Sequence, residues 1–202
     1  MNQNRTSHEK VRRLVVLALL TAMVVVLQLL GSFITIGTTP ISLTLVPIVL
    51  GAVLLGPGAG AILGAAFGIV ALGAGFSGKD MFTSMLLSVA PFWTVVVCMG
   101  KGMLAGAVAG WIAKLLKKNL TLGCILAALS APIVNTGVFA LGMLTVIRPG
   151  LDAFVDSIGG GNAVQILFLV LIGVNFLIEM VVNAVLSAAI SRVAKAVAKE
   201  NL

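Results

Sequence analysis

Asn175, Glu179 and Asn183 stand four residues apart in an apolar run that begins near Ala163 and meets no other charge until Arg192. On a helix this spacing puts all three side chains on one face, within roughly 80° of arc. A carboxylate in hydrocarbon costs on the order of several kcal/mol unless it has a partner or a watered cavity. Ionisable groups inside a membrane are therefore functional by default. One carboxylate and two amides can accept from and donate to a polar ligand, or hold an ion. The plainer reading is a stripe that hydrogen-bonds one helix to another. Glu179 tips the balance toward a ligand or ion site.

Three more polar side chains lie in other apolar runs. Asn135 and Thr136 follow Pro132 near the centre of one of them. The proline removes a helical hydrogen bond and frees a carbonyl about one turn earlier. Lys101 sits in Met99-Gly100-Lys101-Gly102-Met103. It either snorkels to an interface or aims a cation into a cavity.

Catalytic signatures are missing. Gly73 to Lys79 matches a phosphate loop as far as the lysine, but Asp80 replaces the Ser or Thr that should hold Mg²⁺. No strand precedes it, so the match is chance and the chain is not expected to hydrolyse ATP itself. There is no zinc-protease motif and no nucleophile elbow. The only histidine, His8, lies in the polar N-terminal stretch, and Cys98 and Cys124 lie in apolar runs with no metal-ligand spacing. No nucleophile or base has an orienting partner, so binding or transport is expected over catalysis, with no metal.

These residues must be positioned by membrane helices. The chain is 60% hydrophobic and 9% charged, where soluble domains carry about 25% charged residues. Apolar runs of 18 or more residues make it an integral membrane protein. The +7 net charge sits beside membrane segments, so topology explains it better than nucleic acid does. Residues 1–10 read as a polar tail ahead of a membrane domain over 11–198. The expected fold is an all-α bundle of six transmembrane helices, near 11–30, 41–55, 59–74, 93–116, 121–147 and 163–189. The first apolar run is too long for a cleaved signal.

Between them, residues 31–40 read as a connection with Thr and Ile suited to a short extended piece. Gly56-Pro57-Gly58 reads as a tight turn. Gly60, Gly64 and Gly68 form a ridge for close helix packing. Residues 73–92 read as a loop with a helical turn or two, and 151–162 as a loop after Arg148-Pro149-Gly150 ends the fifth helix.

With six spans, Arg5, Lys10, Arg12, Arg13, Lys114, Lys117, Lys118, Arg192, Lys195 and Lys199 fall on one side and Lys79 and Arg148 on the other. The positive-inside rule then puts both termini in the cytoplasm.

The chain resembles the substrate-binding S component of energy-coupling factor (ECF) vitamin transporters. The resemblance runs from about Arg12 to Ala189. It rests on six short helices in about 200 residues and on the Ala18-Leu19-Leu20-Thr21-Ala22 patch of the first helix. It rests also on Ile41 to Pro47, the Leu55-Gly56-Pro57-Gly58 turn, the glycine-rich third helix and Asn135-Thr136. It is most similar to the pantothenate-type and riboflavin-type branch. Relatives there often carry a Pro-Arg pair where the fourth helix begins. Here Lys101 takes the basic position and the proline is missing.

The resemblance implies an importer component of a prokaryotic cell membrane that captures a vitamin from outside. A transmembrane scaffold and two ATPase subunits would use the ATP, with no cofactor in this chain. It also implies that Ala18 and Ala22 dock on the scaffold.

The expected cavity lies at the outer ends of the last three helices, under loops near Thr35–Thr39 and Gly75–Asp80. Asn135, Thr136, Asn175 and Asn183 would offer hydrogen bonds. Lys101 would neutralise a ligand carboxylate. Glu179 would accept from the ligand or pair with Lys101. With no Tyr and few aromatics, stacking on a large ring has little support, so pantothenate is expected ahead of riboflavin or folate. The alternatives are a stand-alone proton-coupled carrier using Glu179, and a structural membrane protein with no small ligand.

Overall fold

The glycine ridge sets how the bundle is built. In the computed structural model, α3 (Pro57–Phe76) and α5 (Pro91–Leu115) cross antiparallel with their backbones in contact. A Cβ at Gly60 would overlap the Gly106 carbonyl oxygen, and one at Gly64 would overlap that of Gly102. Gly68 meets the Cys98 carbonyl in the same way, and Gly110 meets Pro57. Small residues at this spacing let two membrane helices pack by van der Waals contact where no hydrophobic effect drives them together.

The structure describes residues 2–31, 35–36, 39–40 and 43–200, with side chains over 8–31, 43–169, 171–173 and 175–197. α1 (Asn2–Gly31) leads to a minimal antiparallel ladder, β1 (Thr35–Ile36) against β2 (Thr39–Pro40), in register Thr35 with Pro40 and Ile36 with Thr39. Gly37, Thr38, Ile41 and Ser42 lie outside the described residues. So do the side chains of the lid expected near Thr35–Thr39 and those of the first residues expected in the second span.

α2 (Leu45–Leu55) ends at Gly56, whose φ of +99° suits glycine, and Pro57 opens α3. α4 (Met81–Val89) lies between α3 and α5, and its first turn is capped by Asp80, which accepts from the Thr83 amide at 3.2 Å. Thr94 in α5 donates to the Leu86 carbonyl at 3.1 Å, tying the end of α4 to the next helix.

A 3₁₀ turn (Lys117–Asn119) joins α5 to α6 (Leu120–Leu144), which carries Pro132 inside it. α7 (Arg148–Ser157), α8 (Ala163–Ile166), a π-helical segment (Leu167–Ile172) and α9 (Gly173–Glu200) complete the chain.

Five stretches are long and apolar enough to cross a bilayer: His8–Gly31, Pro57–Phe76, Pro91–Leu115, Lys117–Leu144 and Asn175–Val197. α2 is apolar but has 11 residues, about 16 Å of helix against a hydrocarbon core of about 30 Å. The second expected span is thus a short helix within the described residues. The chain is an all-α, multi-pass membrane bundle.

Residues 2–10, expected as a polar tail, are helical and continue into α1, and a second segment also differs from its expectation. Residues 151–162 were to be a loop, yet α7 occupies Arg148–Ser157. Pro149 falls in the first turn, where a missing N–H costs nothing. Leu151, Phe154 and Val155 follow helical spacing and are buried, and Arg148 pairs with Asp152 one turn on at 2.9 Å. Gly159, Gly160 and Gly161, all at positive φ, then separate α7 from α8.

The buried side chains form separate clusters. One gathers Phe82, Met143, Ile147, Leu151, Phe154 and Leu167 around α4 and α7. A second, built mostly of Ala, joins α2, α5, α6 and α9 at the other end. A third packs α1 on α2 and α3 through Leu20, Val24, Ile48 and Leu63.

Candidate substrate-binding site

Two residues of the α9 stripe are buried and Asn175 is half-buried. Glu179 is 1% exposed and Asn183 2%. Asn175 donates its amide to Glu179 Oε1 at 3.2 Å. Asn183 donates to the Glu179 backbone carbonyl at 2.8 Å, a bond back along its own helix. Neither contact is made across helices, although the Asn135 side chain of α6 lies near enough to interact with the Glu179 carboxyl, and Glu179 Oε2 makes no hydrogen bond of good geometry among the described residues.

Glu179 faces a cavity of about 90 Å³. α9 supplies Asn175 and Glu179, α6 supplies Asn135 and Thr136, and α5 supplies Lys101. The structure therefore brings five of the polar residues singled out by sequence to one space. Asn183 is not among the lining residues. It lies one turn further along α9 and its amide is used within the helix.

Asn135 is 5% exposed, and its Oδ1 also lacks a partner among the described residues. Buried polar atoms are nearly always paired, so two open acceptors on one cavity mark places for donors from a ligand or water.

The Lys101 side chain turns into the bundle rather than to an interface. Its Nζ lies 4.8 Å from the ring centre of Phe139 on α6 and 5.4 Å from that of Phe67 on α3. No carboxylate stands within ion-pairing distance of Lys101 among the described residues, although Glu179 and Asp80 line the same cavity. A cation, a carboxylate and several amides thus share one small enclosure, which suits holding a polar molecule with charge at one end and donors at the other.

Several lining residues escaped sequence reasoning. Gln28 enters from α1, and Asp80, Phe82 and Thr83 enter from the start of α4. A lone amide in the apolar run of α1 was a visible signal for Gln28. Asp80, dismissed with the phosphate-loop match, caps α4 at the rim. The cavity also takes three of the nine phenylalanines, Phe67, Phe82 and Phe139, so it is more aromatic than the composition suggested. Cys98 is buried in the wall.

The part of the expected lid near Gly75–Asp80 is split. Gly75 is buried inside α3 against Thr83, whereas Phe76 to Lys79 are exposed. Ala18 and Ala22 are exposed on α1, on the side away from buried Leu20, Val24 and Gln28.

Comparison with known proteins gives one match. A family model described as the substrate-specific component of ECF transporters covers residues 12–191. No curated protein and no solved structure matches the chain. The family match spans nearly the whole bundle, including every helix that lines the cavity, and the chain belongs to the family of ECF transporter substrate-specific components.

Proposed function

We propose that this substrate-binding component captures a small water-soluble carboxylic acid bearing hydroxyl or amide donors, and that pantothenate is that acid. One observation carries the reading. Lys101 and the open acceptors Glu179 Oε2 and Asn135 Oδ1 belong to a single cavity. The ammonium neutralises the ligand carboxylate. Glu179 and Asn135 accept from its hydroxyl and amide groups, with Thr136 and Asn175 beside them. A buried acceptor left unpaired costs about 1–3 kcal/mol, so such a site discriminates strongly for donors.

In this reading the chain crosses a prokaryotic plasma membrane six times with both termini in the cytoplasm. The uneven count of basic residues supports that orientation. Arg13 supports the pairing of ends, since it donates to the Leu55 carbonyl where α2 closes, at 3.0 Å. Ala18 and Ala22 present a small-residue patch for the scaffold subunit, and two ATPase subunits supply the energy. The chain itself performs no catalysis.

The test is uptake of labelled pantothenate by cells expressing the chain alone, or with a scaffold and its ATPases. The expected result is accumulation only with the full set and an active ATPase. Accumulation by the chain alone under a proton gradient would replace this reading with that of a stand-alone carrier.

A further inference from the structure

Lys101 raises a question that its role as a ligand cation does not answer. An ammonium beside two carboxylates in an enclosed space would be expected to pair with one of them. Glu179 and Asp80 both line its cavity, yet neither is within ion-pairing distance among the described residues. Asp80 is engaged by its own helix, accepting from the Thr83 amide and the Thr83 hydroxyl. Glu179 is engaged by Asn175. The company of the ammonium is aromatic: Phe139 at 4.8 Å and Phe67 at 5.4 Å, from two different helices. Both distances fall inside the range where a ring face attracts a cation.

The placement of both rings is fixed by the surrounding fold. Gly102 follows Lys101 directly, and a Cβ there would stand 2.9 Å from Phe67 Cδ1. The backbone contact of α3 with α5 at Gly64 and Gly102 therefore seats Phe67 next to Lys101. Phe139 is met edge-on by Phe82 at 6.2 Å, and Phe82 by Phe154 of α7 at 4.8 Å. A chain of rings thus runs from the surface helix α7 to the ammonium.

We propose that Phe67 and Phe139 are positioning residues that hold the Lys101 ammonium by its contact with their rings, away from Glu179 and Asp80, and so keep it open to a ligand carboxylate. This rests on the carboxylate-binding reading above and adds what maintains the site before ligand arrives. Rings stabilise the cation without neutralising it, so its charge remains available. A carboxylate partner would have to be displaced by each incoming ligand.

The purified full chain can be tested in two ways. The first needs no ligand. In protein labelled with ¹³Cε-lysine, the Lys101 resonance is assigned by its loss in Lys101→Arg. Ring currents should move its ε-methylene protons upfield of those of the other lysines, and Phe139→Leu should return them toward the others. The second compares pantothenate with panthenol, its neutral alcohol. Phe139→Leu should weaken pantothenate about three- to thirty-fold, the range of a buried cation–ring contact. It should leave panthenol within about two-fold, and Phe139→Tyr should restore pantothenate. The Phe139→Leu effect should vanish in a Lys101→Ala background.

An unshifted Lys101 resonance in the folded wild type overturns the proposal. So does equal weakening of both ligands, or an effect that survives Lys101→Ala, because Phe139 would then only shape the cavity. Wild-type protein that binds neither compound defeats the pantothenate assignment instead, and the Lys101 resonance alone then decides the present proposal.

Discussion

Asn175 donates to Glu179 Oε1 across one turn of α9, and the other carboxyl oxygen, Oε2, is buried without a partner among the described residues, in a side chain that lines the cavity. The amide holds one carboxyl oxygen to the helix, and in the proposed function the other accepts from the ligand. Glu179→Gln should therefore weaken pantothenate about ten- to a hundred-fold, the range for hydrogen bonds to a charged group. The ligand-free protein should not melt earlier, since a neutral side chain replaces a buried charge. Calorimetric titration beside a thermal melt reads both. Unchanged affinity would remove Glu179 from the site.

Asn183 offers a contrast on the same helix face. Its amide bonds back to the Glu179 carbonyl, its Oδ1 is buried without a partner among the described residues, and it does not line the cavity. Asn183→Leu should leave ligand affinity within about three-fold and be neutral or stabilising in a thermal melt, because an unsatisfied buried acceptor is removed. A large loss of affinity would mean that the ligand reaches deeper along α9 than the cavity does.

The α3–α5 crossing makes a sharp prediction about stability. A Cβ at Gly64 would collide with backbone of α5, whereas one at Gly100 meets nothing within 4 Å. Gly64→Ala should destabilise by about 1–3 kcal/mol, as overpacking does, and should also displace Lys101 and weaken the ligand. Gly100→Ala should change neither. Equal melting temperatures for the two variants would show that the helices do not touch as described.

Much of this was legible in the sequence because membranes make polar residues conspicuous. Lys101, Asn135, Thr136, Asn175 and Glu179 stood out against apolar neighbours, and the fold gathers them at one cavity. The same contrast hid Phe67, Phe82 and Phe139, since a cavity ring and a lipid-facing ring look alike in an apolar run. Asn183 shows the limit of helical phase. Spacing assigns it to a face but does not say how far along that face the cavity extends. α7 was missed because Pro149 and Gly150 read as a stop, although a proline in a first turn is also a start. The side chains of the expected lid at Thr35–Thr39 lie outside the described residues.

The exposed pair Ala18 and Ala22, proposed above as the docking patch, offers a way to test transport apart from binding. Ala18→Trp with Ala22→Trp should abolish uptake in cells carrying the scaffold and ATPases by spoiling the close approach of a partner helix. Pantothenate affinity of the purified chain should remain within about two-fold, because Leu20, Val24 and Gln28 carry the opposite, buried side of α1. Full uptake by the double variant would move the docking surface elsewhere.

The most direct test of the central claim is a thermal melt of the detergent-purified chain against a panel of water-soluble vitamins and their precursors. A ligand that binds only the folded state stabilises it by about 4 kcal/mol at roughly a thousand-fold excess over Kd. Pantothenate should raise the melting temperature, riboflavin and folate should not, and Lys101→Ala should reduce the rise without removing it. A folded protein that responds to no member of the panel would contradict the claim that this cavity captures a vitamin.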